Sequence, residues 1–321
     1  MSEPIRWGIL GAAKFAREHM GPAIHMAEGA ELAAVASRDV GKVADFQAFA
    51  PSVQAVDGYE AMLARSDIEA IYIPLPNTAH VEWTKKALAA GKHVLCEKPI
   101  AMTAGEFDGL IAARDQSDLV AAEAYMIVHH PQWQRARELL ADGAIGKLVH
   151  VSGAFSFDNR ADVDNIRNKA DMGGGAIRDI GVYVIGSARF VTGLEASEVS
   201  GDIRWENGFD AFTRIRARFG EATYDAYVST RAHPHQEMVF HGEKGVMRLT
   251  APFNPRVFGE AQIELSAGMT RSVERFPTVN HYVLQVEAFG RSIREGADYP
   301  CPLEFSRGTQ VVIDKVFETA R

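Results

Sequence analysis

Short apolar runs separated by amphipathic stretches fill the first third of this 321-residue chain. The runs at 5–10, 31–36, 70–74, 93–96 and 119–122 have strand length, and 40–49, 78–90 and 103–113 carry apolar residues at helical spacing. Thr78 and Thr103 stand where N-caps belong. Strand, helix, strand in alternation is the pattern of βαβ units and a doubly wound parallel sheet. After about residue 123 the pattern changes. Segments 148–157, 197–204, 211–219, 222–230, 238–241 and 246–250 alternate apolar and polar positions, as a half-exposed antiparallel sheet does. Gly220-Glu221 and Gly242-Glu243-Lys244-Gly245 fall where hairpin turns are needed. Helical stretches at 132–141, 176–192 and 282–295 make this part α+β, and a last helix at 305–320 closes the chain. The expected organisation is an α/β domain over 1–122 and an α+β domain over 123–321, with the last helix able to pack back on the first domain.

Charge narrows the function classes. The net charge is −8, from 34 basic and 42 acidic side chains with no basic run, which argues against nucleic acid and anionic membrane as partners. Cys96 and Cys301 are too few for a disulfide framework and lack metal-ligand spacing, and no targeting or spanning segment is evident. A reducing cytoplasm is the expected compartment. His129-His130-Pro131 is not a metal site, because adjacent histidines on an extended segment point apart. His233-Pro234-His235 reads as a turn without a role.

Three stretches carry chemistry. In Val94-Leu95-Cys96-Glu97-Lys98-Pro99 an apolar strand runs into a proline that cannot continue a ladder, leaving the Lys98 ammonium at the strand's carboxyl end. In an open α/β sheet ligands bind at that end, although a surface lysine on a loop would look the same. Gly8-Ile9-Leu10-Gly11-Ala12-Ala13-Lys14-Phe15-Ala16 follows the first strand and opens a helix, the context of a dinucleotide fingerprint. Ala13 and Ala16 replace its second and third glycines. At the end of the second strand stand Ser37 and Arg38, which suit the 2′-phosphate of NADP; Asp39 is the rival that would suit NAD. NADP is the expected cofactor.

The third stretch is Met172-Gly173-Gly174-Gly175-Ala176-Ile177-Arg178-Asp179-Ile180-Gly181-Val182-Tyr183. Asp179 and Tyr183, four apart on a helix, share a face. A phenol near an ammonium can carry the proton that must leave a hydroxyl as its carbon gives up hydride. The plain alternative is a glycine-rich loop before a core helix.

Together these motifs resemble the Gfo/Idh/MocA oxidoreductases. The resemblance implies an N-terminal Rossmann domain and a C-terminal domain on an open, mostly antiparallel sheet that often forms an oligomer interface, so a homodimer or higher homo-oligomer is expected. It also implies that Lys98 and Tyr183 act together at the nicotinamide and that Asp179 contacts substrate hydroxyls. The cofactor site would comprise Gly11, Ala12, Ala13, Lys14, Phe15, Ser37, Arg38, Pro74, Asn77, His80, Glu97 and Lys98. Tyr125 would wall the substrate pocket or fill the domain junction, and Arg167 would reach substrate hydroxyls or stay solvated. The tyrosine at 183, where inositol dehydrogenases carry histidine, is similar to the branch of NADP-dependent aldose (xylose or glucose) 1-dehydrogenases, sugar ketoreductases and dimeric dihydrodiol dehydrogenases. The run Arg6-Trp7-Gly8-Ile9-Leu10-Gly11-Ala12-Ala13-Lys14 looks most like the aldose dehydrogenases. The implied activity is hydride transfer at a hydroxyl or carbonyl carbon of a sugar or polyol; the rival class is a regulator that senses NADP without turnover.

Overall fold

A computed structural model describes residues 3–320. The chain divides into two compact units. The first comprises the chain up to His129 together with Asn280–Ser306; the second is His130–Val279 together with the chain from Arg307 on.

The first unit holds β1 (Ile5–Leu10), β2 (Ala30–Ser37), β3 (Gln54–Asp57), β4 (Ala70–Ile73), β5 (His93–Cys96) and β6 (Ala121–Glu123). They form one parallel sheet in the order β3-β2-β1-β4-β5-β6. The chain reverses its direction of progress between β1 and β4, which makes the carboxyl ends of these strands the ligand-binding crevice. Ile5, Trp7, Ile9 and Leu10 of β1 are buried, as befits a strand covered on both faces. Edge strand β3 was not foreseen, since Gln54-Ala55-Val56-Asp57 is largely exposed and shows no apolar run. Neither threonine caps a helix as expected. Thr78 falls in the 3₁₀ turn Asn77–Ala79 ahead of helix His80–Ala89, and Thr103 donates from its amide (3.0 Å) and hydroxyl (3.3 Å) to the Glu106 carboxylate.

The boundary expected at 122/123 differs from this division. The helix His281–Glu295 covers one face of the parallel sheet, with the Phe289 ring 5.4 Å from Trp7, and Pro302 bridges to Ala122. Apolar spacing shows that such a helix has a buried face but not which sheet it covers.

The second unit is built on β7 (Leu148–Asp158), β8 (Ala196–Glu206), β9 (Phe209–Phe219), β10 (Ala222–Ser229), β11 (Arg231–Gly242), β12 (Gly245–Leu249), β13 (Gln262–Ala267) and β14 (Thr270–Arg275). Their order is β14-β13-β12-β11-β7-β10-β9-β8, antiparallel except for the parallel pair β7 and β10. Strand β14 escaped the pattern because its residues are mostly polar and exposed, and β13 because only Ile263 of its six residues is buried. His233-Pro234-His235 is not a turn but part of β11, at the pairing irregularity between Arg231 and His235 that accommodates a residue without an N–H. A π-helical turn, Ile177–Gly181, runs directly into the helix Val182–Thr192, whose residues from Val182 to Val191 are all buried. Among the described residues no helix is long and apolar enough to cross a membrane.

Candidate active site

The nucleotide cradle lies in the first unit. Gly11 has φ 111°, and its N–H donates to Ala36 O at 2.8 Å, joining the end of β1 to the end of β2. A side chain at that φ is disfavoured, and its Cβ would press Leu75 Cδ2 at 3.1 Å. Ala12 and Ala13 follow, half-buried, and the helix begins after them; Phe15 packs on Tyr282 at 5.6 Å, so its ring is a core contact. At the end of β2 the Ser37 hydroxyl accepts the Asp39 N–H at 3.1 Å. The Asp39 carboxylate in turn accepts the Gly41 N–H at 3.2 Å, capping the turn Val40–Val43. Arg38 and Lys14 are exposed, and among the described residues neither has a hydrogen-bond or ion-pair partner. A free guanidinium beside an occupied carboxylate fits a 2′-phosphorylated dinucleotide, and the turn at Gly11 with its helix N-terminus fits a pyrophosphate.

Beyond β4 and β5 the polar groups interlock. The Tyr72 hydroxyl, inside the sheet, donates to Glu97 Oε1 at 2.6 Å, and the Lys98 N–H reaches Glu97 Oε2 at 3.2 Å. Burial raises the Glu97 carboxyl above its ordinary range, with the Lys98 ammonium pulling the other way. Buried Glu123, at the end of β6, accepts the Ile100 N–H at 3.0 Å and is raised by burial in the same manner. Tyr72 and Glu123 were missed by sequence reasoning, since each joins this cluster from a different strand. Pro74 and Asn77 are half-buried on the loop after β4. His80 requires a correction. Its ring is fully buried, with Nδ1 2.8 Å from Pro99 O and Nε2 2.7 Å from Leu75 O. It ties together the loops after β4 and β5 and offers no free nitrogen to a cofactor. Tyr125 is likewise buried, its ring 6.2 Å from Phe305.

In the second unit Tyr183 is buried against Phe155 of β7 and Phe253, with ring centroids 5.6 and 5.5 Å away. Asp179 lies on the π-helical turn and is 12% exposed; its Oδ2 accepts a 2.5 Å hydrogen bond from Arg167 Nε. Arg167, its side chain 38% exposed, is therefore tied to Asp179. The loop that bears it is anchored at Asn165, whose side chain accepts the Arg167 N–H at 3.1 Å. Asp210, the second residue of β9, also went unnoticed in the sequence. It is 1% exposed, its Oδ2 accepts the Ile177 N–H at 2.7 Å and the Thr213 hydroxyl at 2.8 Å, and burial pushes its carboxyl up to about 6. Among the described residues no group of three or more His, Cys, Asp and Glu could hold a metal ion.

Residues 5–125 match the oxidoreductase family with an NAD-binding Rossmann fold, and residues 133–248 match the GFO/IDH/MocA C-terminal domain. A dTDP-3,4-didehydro-2,6-dideoxy-alpha-D-glucose 3-reductase from Saccharopolyspora spinosa is 35% identical, over 94% of this chain and 91% of its own length. D-xylose 1-dehydrogenase (NADP(+)) 2 from Haloferax volcanii is 31% identical, over 98% of this chain and 97% of its own. The crystal structure of KijD10, a 3-ketoreductase from Actinomadura kijaniata in complex with NADP and TDP-benzene, is similar with a TM-score of 0.91 at 28% identity, covering 99% of this chain and 98% of that one. By both of its domains and by these full-length relatives, the chain belongs to the Gfo/Idh/MocA family of oxidoreductases.

Proposed function

We propose that this oxidoreductase uses NADP to interconvert a hydroxyl and a carbonyl group on a sugar or polyol, acting as an aldose 1-dehydrogenase. The observation that carries the cofactor assignment is the exposed Arg38, without a partner among the described residues, next to an Asp39 already committed to the Gly41 amide. The xylose dehydrogenase is NADP-dependent by name and KijD10 was solved with NADP, which supports the same choice. A second reading, reduction of a nucleotide-linked keto sugar, is favoured by the 35% identity to the dTDP-sugar 3-reductase.

When bound, the dinucleotide supplies or takes up hydride at its nicotinamide ring. The chain's own groups divide the remaining work. The Gly11 turn and the helix N-terminus after it hold the pyrophosphate, with Lys14 beside it, and Ser37 and Arg38 hold the 2′-phosphate. Lys98 offers an ammonium that steadies negative charge on the substrate oxygen, Tyr183 carries the hydroxyl proton, and Asp179 with Arg167 orients neighbouring hydroxyls.

The test follows nicotinamide absorbance with purified protein, pairing NADP with a panel of aldoses and NADPH with keto sugars, free and nucleotide-linked. Turnover of an aldose is expected, and Tyr183→Phe should lower kcat by roughly 10²- to 10⁴-fold with little change in the KM for NADP. Near-normal turnover in that variant would exclude Tyr183 as the proton carrier. NADP binding without turnover of any substrate would turn the assignment to a sensor.

A further inference from the structure

We propose that Asp210 is a positioning residue for this reaction, fixing the start of the helix that carries Asp179 and Tyr183. The inference rests on the reading of Tyr183 as proton carrier given above.

The first N–H groups of a helix have no partner within it and need an acceptor from elsewhere. Here the local sequence provides none, because the residues ahead of Ile177 are Gly173, Gly174, Gly175 and Ala176, and no side chain caps the turn from its own N-terminus. The acceptor arrives from a strand 33 residues further along the chain, where Asp210 Oδ2 takes the Ile177 N–H at 2.7 Å. The same oxygen is fixed by the Thr213 hydroxyl at 2.8 Å, so the anchor is bolted to β9 and hence to the sheet. The approach is close enough that Gly175, at φ 114°, has no room for a Cβ: one built there would overlap the Asp210 carboxylate.

Two site residues hang on this anchor. Asp179 is on the anchored turn itself, two residues past Ile177, and the turn is π-helical, a geometry that sets the angle between Asp179 and Tyr183. Arg167 is tied to it a second way, since the Gly175 N–H donates to Arg167 O at 2.9 Å while the Arg167 guanidinium holds Asp179. Releasing the anchor would displace the ion pair and the phenol relative to one another, with the nucleotide cradle in the other unit unaffected.

Asp210→Ala, Asp210→Asn and Thr213→Val, with Tyr183→Phe as reference, are measured on the full-length protein for kcat and for the KM of NADP. Asp210→Ala is expected to lower kcat by about 10²-fold, the cost of misplacing reacting groups by about an ångström, with the KM for NADP within about twofold of wild type. Asn keeps an acceptor oxygen in place and should restore kcat to within about tenfold of wild type. Wild-type kcat in Asp210→Ala, no rescue by Asn, or a parallel loss in kcat and NADP affinity would each overturn the proposal. If Asp210→Ala does not fold, Thr213→Val decides: a loss of about threefold or more in kcat at constant KM for NADP supports the anchor, and unchanged kcat overturns it. An inactive Tyr183→Phe beside a fully active Asp210→Ala refutes the positioning role alone, whereas an active Tyr183→Phe refutes the catalytic reading and the positioning role with it.

Discussion

Replacing Asp210 by asparagine should make the protein more stable relative to wild type as pH rises. The Asp210 carboxyl is pushed from an ordinary 3.8 up to about 6, chiefly by burial, with the Ile177 amide, the Thr213 hydroxyl and the nearby Arg178 charge acting against the rise. The folded state thus holds this proton more tightly than the unfolded chain does. Its contribution to stability is complete below about 3.8 and is lost as pH rises through about 6. The gap between those values corresponds to about 3 kcal/mol in all, of which about 2 kcal/mol falls between pH ~4.5 and ~7.5. Asparagine is neutral at every pH and can present an oxygen to the same two donors, so it escapes this loss.

The measurement is thermal or denaturant unfolding of wild type and Asp210→Asn at both pH values. Comparing the two proteins at each pH cancels every other titrating group. From pH ~4.5 to ~7.5 the variant should gain about 2 kcal/mol on wild type, on the order of 4–8 °C in Tm for a unit of this size. Parallel pH curves would refute the argument, as would a wild type that gains on the variant with rising pH.

Two further outcomes follow from the same geometry. Gly175→Ala drives a methyl into the space of the Asp210 carboxylate and forces a side chain onto φ 114°, so it should destabilise the protein by about 2 kcal/mol or more, read as a lowered Tm; a melt matching wild type would contradict the packing described. Arg38→Ala removes the guanidinium proposed for the 2′-phosphate and should raise the KM for NADP about 10- to 100-fold over its effect on NAD, the equivalent of one lost charge-assisted contact of about 1.5–3 kcal/mol; equal effects on both cofactors would remove the assignment.

What the sequence discloses depends on whether a residue's reason for being there is local. Strands β1 and β5 were legible to the residue, because a strand buried on both faces is apolar along nearly all of its length. Edge strands β3 and β14 were not, since strands with exposed residues place few demands on side chains. The same distinction sorts the site. Gly11 follows β1, and Lys98 follows β5 with a proline behind it, so strand-end position alone marks both. The roles of His80, Glu123 and Asp210 left no mark, although Glu123 ends β6 and His80 opens a helix. His80 holds carbonyls at 75 and 99, Glu123 serves an amide at 100 from a neighbouring strand, and Asp210 serves a helix that begins 33 residues earlier. Each is an isolated polar residue whose meaning lies in a partner the topology brings to it. Groups that face a ligand have to sit at strand ends and helix starts, where pattern is strong. The groups that hold them steady can come from anywhere in the chain, provided that they are buried and that their hydrogen bonds are complete.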